Sequence, residues 1–378
     1  MISKSQLNDL VTILLCILIF INVLAWIVGL QNFRAGAGDF RVFYSSGYLV
    51  RQGETAKLYD YDTQTRIQRT LIPNARTFPF IHPPFEAIIF APLAMLSYPQ
   101  AHFAFLALNL FLLVPVALLL RPYSRGFGYG LLLIFAFVPV TEALLQGQDS
   151  LVLLLICAVA LRLLAAEFHL YAGVVLGLGL FRFQLVLPIL LLFVLWKHWR
   201  VLFGFLFSAG PLFAASLPYL GNYWHALRES AVANAAQPIF CMANIRGLLR
   251  FPPVVLLASI LVVWTAWRSG NRADLPMKFS LAIIAASLVS YHMLIHDVSL
   301  LLIPLVLLLR YSLKMDAAFF VALALFPIQL LAYFALLHFY LVALFVLALF
   351  AVLCWIQLRC RKDERLSSSS TSRALAGA

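Results

Sequence analysis

The chain has 378 residues, of which 63% are hydrophobic and 11% charged, and its formal net charge is +12; the mean hydropathy is +0.96. A water-soluble surface normally needs about a quarter of residues charged, so this composition excludes a soluble globular protein. The basic excess does not indicate nucleic acid, because most Lys and Arg fall in short connections between apolar runs, without interleaved exposed aromatics.

With about 20 helical residues per bilayer crossing, the apolar runs read as about twelve spans. They are expected at 10–30, 100–120, 127–145, 151–164, 171–181, 185–196, 201–219, 254–267, 279–294, 298–309, 317–334 and 336–356. The first run is longer than a signal-peptide core and has no small-residue cleavage site after it, so it is read as a transmembrane helix. The fold class is therefore an all-α, polytopic integral membrane protein. Residues 1–366 form one membrane domain, with a helical first extracytoplasmic loop at 31–99, and residues 367–378 form a disordered cytoplasmic tail. Of the five cysteines, Cys16, Cys157 and Cys354 lie in apolar runs, Cys360 in the basic tail and Cys241 in a polar loop. That pattern gives neither a disulfide framework nor a metal-binding spacing.

Placing the N-terminus with Lys4 in the cytoplasm puts the clear basic connections on one side. These are Arg121 with Arg125, Arg162, Lys197 with Arg200, Arg268 with Arg272, Arg310 with Lys314, and the run Arg359, Arg361, Lys362 and Arg365. Both termini are then cytoplasmic, in a multi-pass protein of the inner or plasma membrane. The other side receives the loop 31–99, the turn 142–149, the turn 182–184, the loop 221–253 and the segment 292–297. Polar residues that topology does not explain converge there, which points to a shared extracytoplasmic site at the membrane boundary.

Asp39 follows the first span closely, where a lone carboxylate is costly and usually functional. It is also placed to cap a helix over 40–53, and the residues leave both roles open. Asp62 reads as the cap of a short helix through Arg69. His82 precedes Pro83 and Pro84 at the start of an apolar helix over 85–96, which is too short to span; an imidazole fixed there is placed to meet an anion.

The order of these elements resembles glycosyltransferase family 87. The resemblance rests on Asp39 after the first span, Phe43 and Tyr44, Gly53 with Leu58 to Asp60, the Pro-Pro helix ending at Pro92 and Leu93, Gln146 to Gln148, Arg182 to Gln184, Asn244 to Gly247, and Tyr291 with His296 and Asp297. It covers about residues 36–310. One departure is Arg182-Phe183-Gln184, where the family often has Lys-Pro-Gln; Arg keeps the charge and adds a fork suited to phosphate. The resemblance implies the GT-C architecture and transfer of a hexose, mannose first among them. The donor would be a polyprenyl-phosphate sugar and the acceptor an extracytoplasmic lipid-linked or other glycan, with membrane lipids as surroundings.

By the same resemblance Asp39 takes the place of the catalytic aspartate, acting as general base in an inverting transfer. Arg182 and Arg246 are the candidate cations for the leaving phosphate, with His82, His292 and His296 as hydrogen-bond donors. Gln148 and Gln184 are placed to bind sugar hydroxyls. Arg246 alternatively snorkels to lipid headgroups. Asp149 is expected to cap its span, and Asp297 either orients His296 or caps the helix after it. His292 and His296, spaced i, i+4, share a helix face and with Asp297 imitate part of a metal site, but no third well-placed ligand is apparent. No metal and no cofactor are therefore expected. A lipid or small-molecule transporter is the alternative reading; it would favour internal repeats and polar residues at mid-membrane.

Overall fold

The computed structural model describes residues 4–357 except 35, 37, 74–75, 125, 236–238, 272 and 312–314. The helices in chain order are α1 (Lys4–Arg34), α2 (Phe40–Arg51), α3 (Tyr61–Leu71), α4 (Pro84–Phe90), α5 (Tyr98–Leu120), α6 (Phe127–Ala136), α7 (Val138–Gln146), α8 (Ser150–Ala165) and α9 (His169–Gly177). They continue with α10 (Phe183–Leu195), α11 (Trp199–Ser216), α12 (Leu220–Ala235), α13 (Ile245–Leu249), α14 (Pro252–Gly270), α15 (Leu275–Val289), α16 (Leu302–Tyr311) and α17 (Met315–Phe334). A last helical stretch, α18, runs over Leu336–Gln357. No strand occurs among the described residues. Hydrocarbon offers backbone groups no partners, so an apolar chain of this kind satisfies them within helices. Arg125, Arg272, Lys314, Cys360, the basic run from Arg359 to Arg365 and the tail 367–378 lie outside the described residues.

Among the described residues six helical stretches are long and apolar enough to cross a membrane, or seven with the bent pair α6–α7. Twelve crossings are thus not established: α8 has 16 residues and α15 has 15, each short of the roughly 20 that a bilayer core requires. By length alone His169–Leu195 is one stretch of 27 residues, which as a straight helix would separate its ends by about 40 Å. Its two ends instead return to one place, since the rings of His169 and His198 lie 5.7 Å apart. The chain reverses through the 3-10 turn Leu178–Arg182, as the separate runs 171–181 and 185–196 anticipate. α9 then packs along α11 through glycine. A Cβ on Gly173 would overlap the Val201 carbonyl, and one on Gly204 would overlap that of Leu170. Small residues of this kind let membrane helices approach backbone to backbone.

The break between α6 and α7, a bend of 66°, has an identifiable cause. Pro139 lacks the N–H that would donate to the Phe135 carbonyl, and the ladder opens there. Asn22 Nδ2 on α1 supplies the missing donor, at 2.8 Å from Phe135 O. The Asn22 Oδ1 in turn accepts from Gln329 Nε2 at 2.9 Å and from the Tyr333 hydroxyl at 2.8 Å, both on α17. α1, α6 and α17 are thereby joined by a polar staple inside an otherwise apolar packing. Outward faces carry large apolar groups such as Ile13, Phe20, Val28, Phe111 and Phe207, the pattern of a surface covered by lipid.

The segment between α1 and α5 holds α2, α3 and α4. α3 is capped by Asp60, whose Oδ1 accepts from Thr63 N at 2.7 Å; Asp62 lies in the first turn instead. The correction follows from spacing, because a cap must sit just before the first helical residue. The apolar helix expected over 85–96 stops at Phe90 and is followed by a 3-10 turn over Leu93–Met95; Pro92 cannot donate to the ladder there. Stacked and edge-on ring contacts among Phe40, Phe43, Phe90 and Phe105 bind α2 and α4 to α5.

Candidate active site

The chain reversal at Arg182, the turn after α7, the start of α2 and the entry to the 3-10 helix Ile295–Leu301 all meet at one end of the helices. Gly147 makes the first junction possible. It adopts φ 64°, a left-handed conformation that closes α7, and a Cβ there would sit 2.7 Å from Phe40 Cβ. Its absence lets the turn press against the start of α2. Gln148 Nε2 then donates to Asp39 Oδ2 at 2.6 Å.

Asp39 occupies the position before α2, but its side chain makes no cap hydrogen bond. Of the two roles left open by the sequence, the local one is not taken up. Gln148 links Asp39 inward: its Oε1 accepts from Arg182 Nη2 at 2.5 Å, and its backbone carbonyl accepts from Asn109 Nδ2 at 3.1 Å. Arg182, 3% exposed, donates from Nε to Asp149 Oδ1 at 2.8 Å and makes a second short contact from Nη2 to the same oxygen. Its Nη1 lies 3.4 Å from Asp297 Oδ1.

Asp149 was expected to cap α8. It stands at the cap position without making that bond, because a buried guanidinium is the stronger partner. Asp297 does not precede a helix but lies inside the 3-10 helix Ile295–Leu301, so it bonds back to that helix's start instead of capping the next one. Its Oδ2 accepts from Leu294 N at 3.1 Å and lies 3.6 Å from His296 Nε2, while Ser150 Oγ donates to its Oδ1 at 3.3 Å.

His82 enters from the other side. Its backbone carbonyl accepts from the Tyr59 hydroxyl at 2.9 Å, and its ring stands edge-on to Phe43 at 5.0 Å. His82 Nδ1 approaches Glu86 Oε2 to 2.9 Å, although neither oxygen of Glu86 receives a hydrogen bond of ordinary geometry. Burial pushes His82 down to about 4, with Arg182 adding to the shift and Asp149, Asp297 and Asp39 opposing it. Burial raises the Glu86 acid well above the usual carboxylate range, and the neighbouring Asp149 adds to that against the pull of Arg182. His292 is also pushed down to about 4 by burial. At neutral pH both rings are uncharged. His292 and His296 do not share a helix face: α15 ends at Val289, and the 3-10 helix begins only at Ile295. The i, i+4 expectation fails because residues 290–294 are not helical.

Two of the sequence-selected residues stay apart from this cluster. Arg246 donates from Nη1 to Tyr291 O at 3.0 Å and lies over the Tyr291 ring, 4.2 Å from its centre. Gln184 is half-buried on the first turn of α10, with no hydrogen bond to the cluster among the described residues. Three residues of the site were not singled out in the sequence. Glu86 is 2% exposed, Asn109 anchors Gln148, and Arg41 is buried over the Phe78 ring at 5.0 Å. Burial lowers the Arg41 pKa and Asp39 holds it up. A signal for Glu86 was available: an acid in an apolar helix, four residues after a histidine, needs a buried partner.

These features define a multi-spanning helical membrane protein with a buried charged site at one end of its helices. The sequence profile of glycosyltransferase family 87 matches residues 80–295, more than half of the chain, and the protein belongs to that family of membrane glycosyltransferases. The matched stretch contains His82, Gln148, Arg182, Gln184, Arg246 and His292; Asp39 and His296 lie outside it. No curated protein and no solved structure matches the chain.

Proposed function

We propose that the protein transfers a hexose, mannose in the first instance, from a polyprenyl-phosphate sugar to an extracytoplasmic lipid-linked or glycan acceptor, with inversion at the donor carbon. The observation that carries this reading is the hydrogen-bonded chain Asp39–Gln148–Arg182. In this reading it holds a carboxylate at one end of the helices, where a lipid-borne donor and a water-borne acceptor would meet. Asp39 takes the proton from the attacking hydroxyl as its oxygen forms the new bond to the anomeric carbon. The bond from that carbon to the phosphate oxygen breaks, and the polyprenyl phosphate leaves with the electron pair.

Gln148 fixes the orientation of the base, and Arg182 fixes Gln148. The donors of Arg182 are directed at Gln148, Asp149 and Asp297, so in this reading it acts first as a positioning residue. His82, His292 and His296, neutral or carboxylate-paired, are the donors nearest a bound phosphate. Gln184 and Arg246 line the approach for sugar and lipid headgroup. Lys197 and Arg200 follow α10 at the end away from Arg182, which supports an extracytoplasmic site by the positive-inside rule. Family membership favours transfer over transport.

The test is sugar transfer from radiolabelled polyprenyl-phosphate hexoses in membranes carrying the protein, wild type beside Asp39→Asn. The expected outcome is transfer by wild type and a loss of about 10²–10⁴-fold in a mutant that inserts and melts normally. Equal transfer by both proteins would remove Asp39 from the mechanism.

A further inference from the structure

His82, Glu86 and Asp149 each offer one ligand atom, and these atoms all lie within 4.8 Å of one another. Two elements distant in the chain make this group: the start of α4 and the turn into α8. Glu86 is 2% exposed and Asp149 3%, yet Glu86 Oε1, Glu86 Oε2 and Asp149 Oδ2 have no hydrogen-bond partner among the described residues. Buried carboxylate oxygens without partners are costly. One shared proton between the two acids satisfies a single donor–acceptor pair, so it leaves at least one of these three oxygens orphaned. The charge balance points the same way. Asp149 and Asp297 already share the buried Arg182, which leaves no cation of its own for Glu86.

We propose that His82 Nδ1, Glu86 and Asp149 bind a divalent cation. A nitrogen with two carboxylates is a donor set for Mn²⁺, Mg²⁺ or Zn²⁺. Bonds of about 2.0–2.2 Å require the three atoms to draw together by roughly an ångström, and His82 with Glu86, at 2.9 Å, already has ligand-to-ligand spacing. Three protein ligands leave coordination positions open, which is the arrangement of a reactive rather than a purely structural site. Its placement among the acids of the site would let an anionic phosphate approach them. That role rests on the proposed reaction, whereas the existence of the cation site does not.

The experiment uses the full-length protein in lipid nanodiscs, stripped with chelator and titrated with Mn²⁺, with bound ion read by electron paramagnetic resonance in the absence of any sugar donor. One Mn²⁺ per chain is expected, with affinity reduced about tenfold or more in His82→Ala and Glu86→Gln. Glu86→Gln is the decisive variant, because a neutral amide of the same shape keeps the packing and removes the charged ligand. Glu54→Gln, an exposed acid in the same segment, is expected to bind as wild type does. Absence of saturable binding, or binding unchanged in a correctly folded Glu86→Gln protein, would overturn the site. Sugar transfer measured separately, with and without chelator, reports on the reaction and does not alter the binding result.

Discussion

The two ends of the helices carry similar residue types and treat them in opposite ways. At the basic end His169, Lys197, His198, Trp199 and Arg200 line an open cavity of about 360 Å³. Lys278 Nζ lies 3.1 Å from His198 Nε2, and Glu167, paired with His169 at 2.9 Å, has a side chain 75% exposed. At the site end Gln148, Asp149, Arg182, His296 and Asp297 are each no more than 5% exposed. Lys197 and Arg200 are exposed there, so water screens these two cations and they need no fixed partners. The second group is held by direct contacts across the fold. Burial with long-range partners, more than the identity of the residues, separates a site from a membrane anchor.

The sharpest way to break that contrast is Arg182→Ala. It leaves Asp149 and Asp297 as buried charges without their cation, and a loss of about 3–5 kcal/mol is expected. Thermal melting in detergent checks it, beside a Lys197→Ala variant that should melt within a degree or so of wild type. Gly147→Ala comes next. Its left-handed φ and the Phe40 Cβ at 2.7 Å make a cost of about 1–3 kcal/mol the expectation. Since the displaced turn carries Gln148, transfer should fall by more than the melting shift accounts for.

The smallest effect lies at the basic end. Burial, helped by Lys278 and His169, lowers His198 to about 4 from an ordinary value of 6.5. The unfolded chain therefore binds more protons between those values, and stability rises with pH across that window. His198's share is fully present above about pH 6.5 and lost as pH falls toward 4. His198→Leu should reduce the difference between melting points at pH 7 and pH 4.5, while His82 and His292 keep their own contributions.

Much of this arrangement was legible in the sequence because two of its signals are periodic or one-sided. Apolar runs placed nearly every helix, and charge asymmetry gathered Asp39, Gln148, Arg182 and Asp297 on one face. What it could not show were pairings between distant residues. Asp149 looks like a cap because a cap is a local pattern, whereas its real partner lies 33 residues away. His292 and His296 follow helical spacing, yet the helix ends before them at Val289. Glu86 sits in the first turn of α4, where an acid matches the helix dipole and carries no local sign of burial. The number of crossings stays open for a related reason: hydropathy measures how apolar a stretch is, and α8 and α15, though apolar, are shorter than a bilayer core.

The staple at Asn22 constrains the order in which this protein is completed. Asn22 belongs to α1, and two of its partners, Gln329 and Tyr333, stand about 300 residues downstream. During synthesis its side chain must wait in the membrane for α17, holding at most the Phe135 carbonyl meanwhile. α1 is thus made well before α17, and it settles only once α17 has arrived. A ribosome stalled before residue 329 would leave it tethered but undocked, where a membrane protease could recognise the unfinished product.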